Sequence, residues 1–169
     1  MPALTEGTQA PEFSLSDTLG RNFSLAESLE DGPVVLAFLK VSCPTCQFAF
    51  PYLEKMFCAM NGKANIVGIC QGPASEAELF AAAFGVTFPF LLDPPDTFPV
   101  SSAYGITHVP TVFFVSSDGT IELSSVGWAR IDMEQLNRSL AESLQVPPPT
   151  LFDTNDDIPD FRSGCGSMN

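Results

Sequence analysis

Val34-Val35-Leu36-Ala37-Phe38-Leu39-Lys40 leads, after two residues, into Cys43-Pro44-Thr45-Cys46, and this stretch decides the fold. The first part is a continuous apolar run, which is typical of a strand buried on both faces of a sheet. Proline suits the first turn of a helix, so Pro44 predicts that a helix begins beside Cys43. The sequence therefore places two thiols where a central strand gives way to a helix.

The spacing of these two thiols is that of a dithiol which exchanges disulfides. At a helix N-terminus, unpaired backbone N–H groups and the positive end of the helix dipole favour a thiolate over a thiol. Cys43 is therefore predicted to be the nucleophile, and to be the more exposed and more acidic thiol. Cys46, one helical turn further on, is predicted to attack a mixed disulfide on Cys43 and release a reduced product.

Two other interpretations of the cysteine pair are open at this point. The same spacing supplies half of many zinc sites, but Cys58, Cys70 and Cys165 stand singly and His108 is the only histidine. The pair could also be two merely buried cysteines. We expect no metal and no organic cofactor, and we expect Cys58 and Cys70 to be buried small apolar residues.

Length and composition predict a globular protein with one domain. The chain has 169 residues, 45% of them hydrophobic and 15 of them phenylalanine, which is too apolar for a disordered protein. No apolar run approaches the roughly 20 residues that span a bilayer. The N-terminus lacks a basic stretch followed by an apolar core, and the odd number of cysteines suits a reducing compartment, so a cytoplasmic location is expected.

The charge of the chain argues against two classes of partner. The formal net charge is −13, with only 7 lysines and arginines, which disfavours binding to nucleic acid or to an anionic membrane surface. The expected partners are instead a protein or small-molecule disulfide or thiol and a reductant that the sequence does not identify.

The order of elements predicts an α/β sheet with parallel and antiparallel strands. Alternating apolar residues on either side of a turn at Gly20 predict an N-terminal β-hairpin. Beyond the cysteine pair, the patterns predict strands over 66–70, 88–92, 111–115 and 120–126, and helices over 75–84 and 132–144. We assign residues 1–146 to one domain and residues 147–169 to a proline-rich and acidic tail.

Cys165 is the distinctive residue of this tail. It lies between Gly164 and Gly166, beyond a proline stop at 147–149 and four aspartates. As a third redox thiol it would reach the mouth of the Cys43/Cys46 site. The alternative is an inert thiol on a mobile tail, which is the expectation for a polar terminal segment.

The element order, with Cys43-Pro44-Thr45-Cys46 after the central strand and Val109-Pro110-Thr111 before the late hairpin, resembles the thioredoxin superfamily. The N-terminal Gly7-Thr8-Gln9-Ala10-Pro11-Glu12-Phe13-Ser14-Leu15 resembles its redoxin branch, shared by TlpA-like reductases and AhpC/TSA peroxiredoxins. The resemblance implies a thioredoxin-like fold, with a central mixed β-sheet flanked by helices. It also implies a cis peptide before Pro110, and a substrate strand that pairs with the backbone of Val109 and is bound by Pro44, Thr45 and Pro110.

Within this branch, the peroxide-binding Pro-x-x-x-Thr/Ser-x-x-Cys loop of peroxiredoxins has no match, because Leu39 stands where its proline would fall before Cys46. The resemblance therefore favours a thiol–disulfide oxidoreductase, in the class of antioxidant redoxins. A divergent peroxiredoxin-like peroxidase and a non-catalytic redox-sensing or binding module are the alternatives. Possible accessory groups are Lys40, which could stabilise the Cys43 thiolate, His108, which could touch the cysteines, and Cys165.

Two residues depart from the thioredoxin pattern. Ser42 replaces the tryptophan before the first cysteine, and Ala37 replaces the buried aspartate of the central strand. Proton transfer to Cys46 would therefore lack its usual carboxylate.

Overall fold

The sheet predicted around the first apolar run is present in the computed structural model, which describes residues 2–169. The strands are β1 (Ser14–Ser16), β2 (Asn22–Ser24), β3 (Val34–Leu39), β4 (Asn65–Cys70), β5 (Phe90–Leu92), β6 (His108–Val109), β7 (Thr111–Val115), β8 (Ile121–Val126), β9 (Trp128–Ala129), β10 (Phe161–Arg162) and β11 (Cys165–Gly166). The helices are α1 (Leu25–Leu29), α2 (Pro44–Ala59), α3 (Ala74–Phe84), α4 (Pro99–Ala103) and α5 (Arg130–Ser143).

The central sheet has five strands in the order β5-β4-β3-β7-β8. β3 pairs in parallel with β4 and antiparallel with β7, and all six of its side chains are buried. The thioredoxin-like fold class is thus confirmed: the sheet is mixed, helices flank it, and β1 and β2 form the N-terminal hairpin. Because β3 is central, its carboxyl end brings Cys43 to the middle of one edge of the sheet.

Aromatic residues fill the core on both faces of the sheet. Phe38 on β3 packs edge-on against Phe113 on β7, with ring centroids 5.9 Å apart. A second cluster surrounds Phe50 on α2, whose ring lies 5.8 Å from that of Phe90. Gly68 on β4 makes this packing possible, because a Cβ there would lie 2.6 Å from the Phe90 ring. Such burial of large aromatic side chains dominates the stability of a domain of this size.

The expectation of a mobile tail is wrong, because residues 147–169 pack along the domain. Leu151 is 4% exposed, and the ring of Phe152 lies 5.1 Å from that of Tyr52 on α2. The indole of Trp128 donates to the carbonyl of Pro159 at 2.8 Å. These contacts bury apolar surface that α2, β9 and α5 would otherwise leave open. The division between residues 146 and 147 stays a prediction.

The last nine residues, 161–169, form what we call the covering segment. Its strand β10 pairs antiparallel with β9, and its strand β11 pairs antiparallel with β6. Both partners lie on the edge of the molecule that carries the cysteine pair. No helix among residues 2–169 has the length and apolarity needed to cross a membrane.

Candidate active site

Cys43 stands at the junction predicted for it, between β3 and α2. It is the N-cap of α2, with an extended backbone, and Pro44 occupies the first helical turn. The backbone N–H of Cys46 donates to the sulfur of Cys43 at 3.4 Å. The positive end of α2 and one of its unpaired N–H groups are therefore directed at the Cys43 sulfur, which favours a negative charge there.

Cys43 forms a disulfide bond with Cys165 of the covering segment. The two Cα atoms are 5.9 Å apart, and 122 residues of chain separate the two cysteines. Cys46 is a free thiol and is buried. One turn of α2 thus carries both a disulfide-bonded sulfur and a free sulfur, which is the arrangement of a mixed disulfide beside the thiol that can resolve it.

The covering segment approaches Cys43 as an added β-strand. Cys165 is the register partner of Val109, and Gly166 is that of His108. The N–H of Ser167 continues the pairing by donating to the carbonyl of Thr107 at 3.0 Å. The peptide bond between Val109 and Pro110 is cis, as the family resemblance implied.

Side chains of the predicted site bind the backbone of the covering segment. The hydroxyl of Thr45 donates to the carbonyl of Ser163 at 2.7 Å, and the ammonium of Lys40 donates to the carbonyl of Gly166 at 2.6 Å. The sulfur of Cys43 lies 3.4 Å from the carbonyl oxygen of Val109. Predicted residues from three separate parts of the chain therefore meet around one docked strand.

The predicted difference in exposure between the two active-site thiols is wrong. Cys43 and Cys46 are each 0% exposed, because the covering segment closes the mouth of the site over Cys43. Burial raises the pKa of Cys46 to about 12, and it outweighs the opposing effects of the backbone and the positive charge of Lys40. Cys46 is therefore held as a neutral thiol at neutral pH while the segment is docked.

The remaining predicted residues lie at the edge of this arrangement. Pro44 and the ring of His108 are exposed, and Nδ1 of His108 is 3.0 Å from the hydroxyl of Thr107. Pro110 is buried beneath the docked strand. Lys40 acts on the covering segment and on Cys46; its effect on a Cys43 thiolate stays a prediction.

Sequence reasoning missed several groups that hold the covering segment. The guanidinium of Arg162 lies 4.6 Å from the ring centroid of Phe48 on α2. Gln71, which follows β4 and is 3% exposed, donates to Asn169 at 3.0 Å and accepts from the N–H of Met168 at 2.9 Å. A glutamine directly after the apolar run of β4 is a sequence signal that could have indicated the bonds of Gln71, but nothing in the local sequence indicates a partner about a hundred residues away.

The other two cysteines differ from each other. Cys70 is buried as expected, and burial raises its pKa to about 12. The expectation for Cys58 is wrong, because this residue is exposed and its thiol donates to the carboxylate of Glu54 at 3.0 Å. Among residues 2–169, no three histidine, cysteine, aspartate or glutamate side chains are grouped to hold a metal ion.

The model of the AhpC/TSA family matches residues 7–124. The chain belongs to this family. Thiol-disulfide oxidoreductase ResA of Geobacillus thermodenitrificans (strain NG80-2) is 33% identical over 122 residues, which are 71% of this chain and 68% of the relative. This relative carries the name of the activity that the cysteine pair predicted.

Solved structures show the same fold. The thioredoxin domain of thiol-disulfide oxidoreductase BVU-2223 from Bacteroides vulgatus has a TM-score of 0.71 at 21% identity, covering 82% of this chain and 99% of that one. Peroxidoxin BcpB from Mycobacterium tuberculosis has a TM-score of 0.64 at 24% identity, and the match covers 85% of this chain and 99% of that one. The prediction of a redoxin-branch enzyme of the thiol–disulfide oxidoreductase class is confirmed by the family match, by the ResA relative and by the Cys43–Cys165 pair.

Proposed function

We propose that Cys43 and Cys46 are the exchanging dithiol of this thiol–disulfide oxidoreductase, and that substrates dock on Val109 and Pro110. One observation carries the proposal. A strand paired with Val109 is disulfide-bonded to Cys43, while Cys46 stays a free thiol one helical turn away. This is the geometry that a captured substrate would adopt before its release.

The reaction follows from this geometry. The Cys43 thiolate attacks one sulfur of a substrate disulfide, so a bond between Cys43 and that sulfur forms while the other substrate sulfur leaves as a thiolate and takes up a proton. Cys46 then loses its proton and attacks the Cys43 sulfur. The Cys43–Cys46 disulfide forms, and the second substrate sulfur leaves as a thiol. The two electrons come from the dithiol, which an external thiol reductant restores.

The roles of the two cysteines rest on their surroundings. Cys43 receives the N–H of Cys46 and the helix dipole, both of which stabilise its thiolate. Cys46 lacks a neighbouring carboxylate on β3, where Ala37 stands, and its pKa is raised by burial to about 12. Cys46 is therefore suited to the second step, in which it gives up its proton as it attacks the Cys43 sulfur and the partner's sulfur leaves. We propose protein or small-molecule disulfides and thiols as substrates, in the cytoplasm.

The test is a trapping experiment with the full chain. Because Cys165 also reaches Cys43, it can release a captured substrate, and a trap requires the double variant Cys46→Ser/Cys165→Ser. This variant should accumulate mixed disulfides with insulin chains through Cys43, whereas Cys43→Ser should accumulate none. Cys58→Ser, which removes an exposed thiol outside the site, is the matched control and should reduce insulin as the wild type does.

Reduction of insulin at wild-type rates by Cys43→Ser would contradict the assignment. Consumption of hydrogen peroxide faster than reduction of insulin would favour the peroxidase alternative. Binding of a partner without turnover of either substrate would favour the redox-sensing module.

A further inference from the structure

The covering segment closes the route to the reacting sulfur. Cys43 is 0% exposed beneath it, so no external disulfide or thiol reaches that sulfur while the segment is docked. An exchange with an outside partner requires the segment to leave first. When the segment leaves, it uncovers a surface to which the partner binds. The contacts of the segment therefore indicate which features of a partner that surface binds.

We propose that the groove beneath residues 161–169 recognises the exchange partner, and that this partner is an extended polypeptide segment. In the partner segment, the reacting cysteine directly follows a glycine, and an arginine stands three residues before that cysteine. The chain's own Arg162-Ser163-Gly164-Cys165 is the resident copy of this pattern. The inference rests on the proposed exchange at Cys43 and names the substrate class of the same site.

The glycine requirement follows from the closeness of two backbones. A Cβ at Gly164 would lie 2.7 Å from the carbonyl oxygen of Val109 and 3.3 Å from Cβ of His108. Real Cβ atoms do not approach backbone atoms so closely, and this carbonyl belongs to a strand that pairs with the segment itself. Any other residue before the cysteine would push the strand away from β6. At Gly166, by contrast, a Cβ would meet nothing within 4 Å.

The arginine requirement follows from Phe48, whose ring lies beside the covering segment. The guanidinium of Arg162 stacks over Phe48, which is a contact that a cation makes with an aromatic face. Residues 161–169 contain Arg162 and no aspartate or glutamate, although the whole chain has a net charge of −13. A cationic segment is thus attracted to an acidic protein, and its guanidinium is directed to the Phe48 ring.

A buried polar side chain supports the view that this groove is built to be occupied. Gln71 is 3% exposed, and within residues 2–169 its side chain forms hydrogen bonds only with Met168 and Asn169. When the segment leaves, the amide of Gln71 loses both partners. An unsatisfied polar group at a buried position is costly, and a replacement strand that supplies a backbone N–H three residues after its cysteine restores one of these partners.

The groove opens by an exchange that needs no external oxidant or reductant. The Cys46 thiolate attacks the Cys43 sulfur, the Cys43–Cys46 bond forms as the Cys43–Cys165 bond breaks, and Cys165 leaves as a thiolate that takes up the proton lost by Cys46. The number of disulfides is unchanged. A partner thiol then attacks the Cys43 sulfur of the new disulfide, releases Cys46 as a thiol, and occupies the place of Cys165.

The test compares four peptides, a parent and three variants, on one protein. Reduced full-length Cys165→Ser is mixed with the peptide Phe-Arg-Ser-Gly-Cys-Gly-Ser-Met-Asn, carried as its mixed disulfide with glutathione, and the rate of peptide release is followed by chromatography. The peptide with Gly164→Ala should react about tenfold more slowly, since it must shift the strand, and the peptide with Gly166→Ala should stay within about twofold of the parent. The peptide with Arg162→Ala should react about threefold more slowly than the parent, since it lacks the contact with Phe48.

Equal rates for all peptides would overturn the inference, as would a parent peptide that reacts no faster than glutathione disulfide. Failure of the proposed function is a separate result, because the same preparation would then reduce neither the peptides nor glutathione disulfide. A Cys43–Cys165 bond between two chains in the oxidised wild type would also overturn the inference, since it would assign the groove to a second copy of the protein.

Discussion

The body of the domain and the covering segment are held by different forces. Phe113 in the body is 0% exposed and packs against Phe38 and Tyr104, whereas Phe161 in the covering segment is 62% exposed. The segment is held by backbone pairing, by hydrogen bonds from Thr45 and Lys40, and by one disulfide. Apolar burial therefore keeps the body folded. The bonds that hold the segment can be exchanged for bonds to another strand, so the segment can leave while the body stays folded.

The largest effect expected from this contrast is on stability. Phe113→Ala should lower the free energy of unfolding by about 3–5 kcal/mol, because it removes a fully buried aromatic ring and leaves a cavity. Phe161→Ala should change it by less than about 0.5 kcal/mol. Urea unfolding of the reduced proteins measures both. Similar losses for the two variants would mean that the covering segment is part of the core.

Release of the covering segment should depend on Cys46. When the oxidised wild type is incubated with an alkylating agent and no external thiol, Cys165 becomes labelled as Cys46 displaces it from Cys43. In Cys46→Ser this labelling should fall at least about a hundredfold, because no thiol is left within reach of the bond. Mass spectrometry of the labelled peptides gives the rates, and Cys70→Ser, a second buried cysteine, serves as the control. Unchanged labelling in Cys46→Ser would mean that the segment leaves by another route.

The same release should accelerate with pH. Burial raises the pKa of Cys46 to about 12, so below that pH the reactive thiolate grows about tenfold for each unit of pH. The labelling rate of Cys165 should therefore rise about a hundredfold from pH 7 to pH 9. A rate that levels off between these values would place the pKa of Cys46 within that interval and contradict its burial as a neutral thiol.

The smallest of these effects separates two neighbouring glycines. In the full chain, Gly164→Ala should lower the equilibrium constant for the Cys43–Cys165 bond about tenfold in a glutathione redox titration, because its Cβ would strike the carbonyl of Val109. Gly166→Ala has the same effect on the unfolded chain but meets no neighbour, and it should shift the constant less than about twofold. Equal shifts would show that the segment does not dock through the backbone at Gly164.

Much of the body could be predicted from the sequence because its signals are local. The apolar run of β3, the proline at the start of α2 and the turn at Gly20 each act on neighbouring residues, and together they indicate the sheet and the place of the cysteine pair. Burial was harder to judge. Cys58 stands among apolar neighbours in the sequence, yet its position on α2 faces outward, because a helix presents successive residues to different sides.

The covering segment could not be predicted for the opposite reason. Its β-strands have two residues each and pair with strands that lie far away in sequence, so they leave no periodic pattern. Composition marked residues 147–169 as a mobile tail, since acidic and proline-rich stretches usually do not pack. The glycines beside Cys165 were the only hint of a close approach, and Gly164 makes that approach to Val109, a residue that the family resemblance implied for substrates.

Disulfide mapping of the full-length protein tests the central claim most directly. The protein is oxidised with one equivalent of diamide, quenched in acid within seconds, and digested for mass spectrometry. The account predicts a Cys43–Cys165 bond within a single chain, which converts to Cys43–Cys46 as the quench is delayed at higher pH, and no Cys46–Cys165 bond. Oxidised chains in which Cys165 is a free thiol at every time point would contradict it.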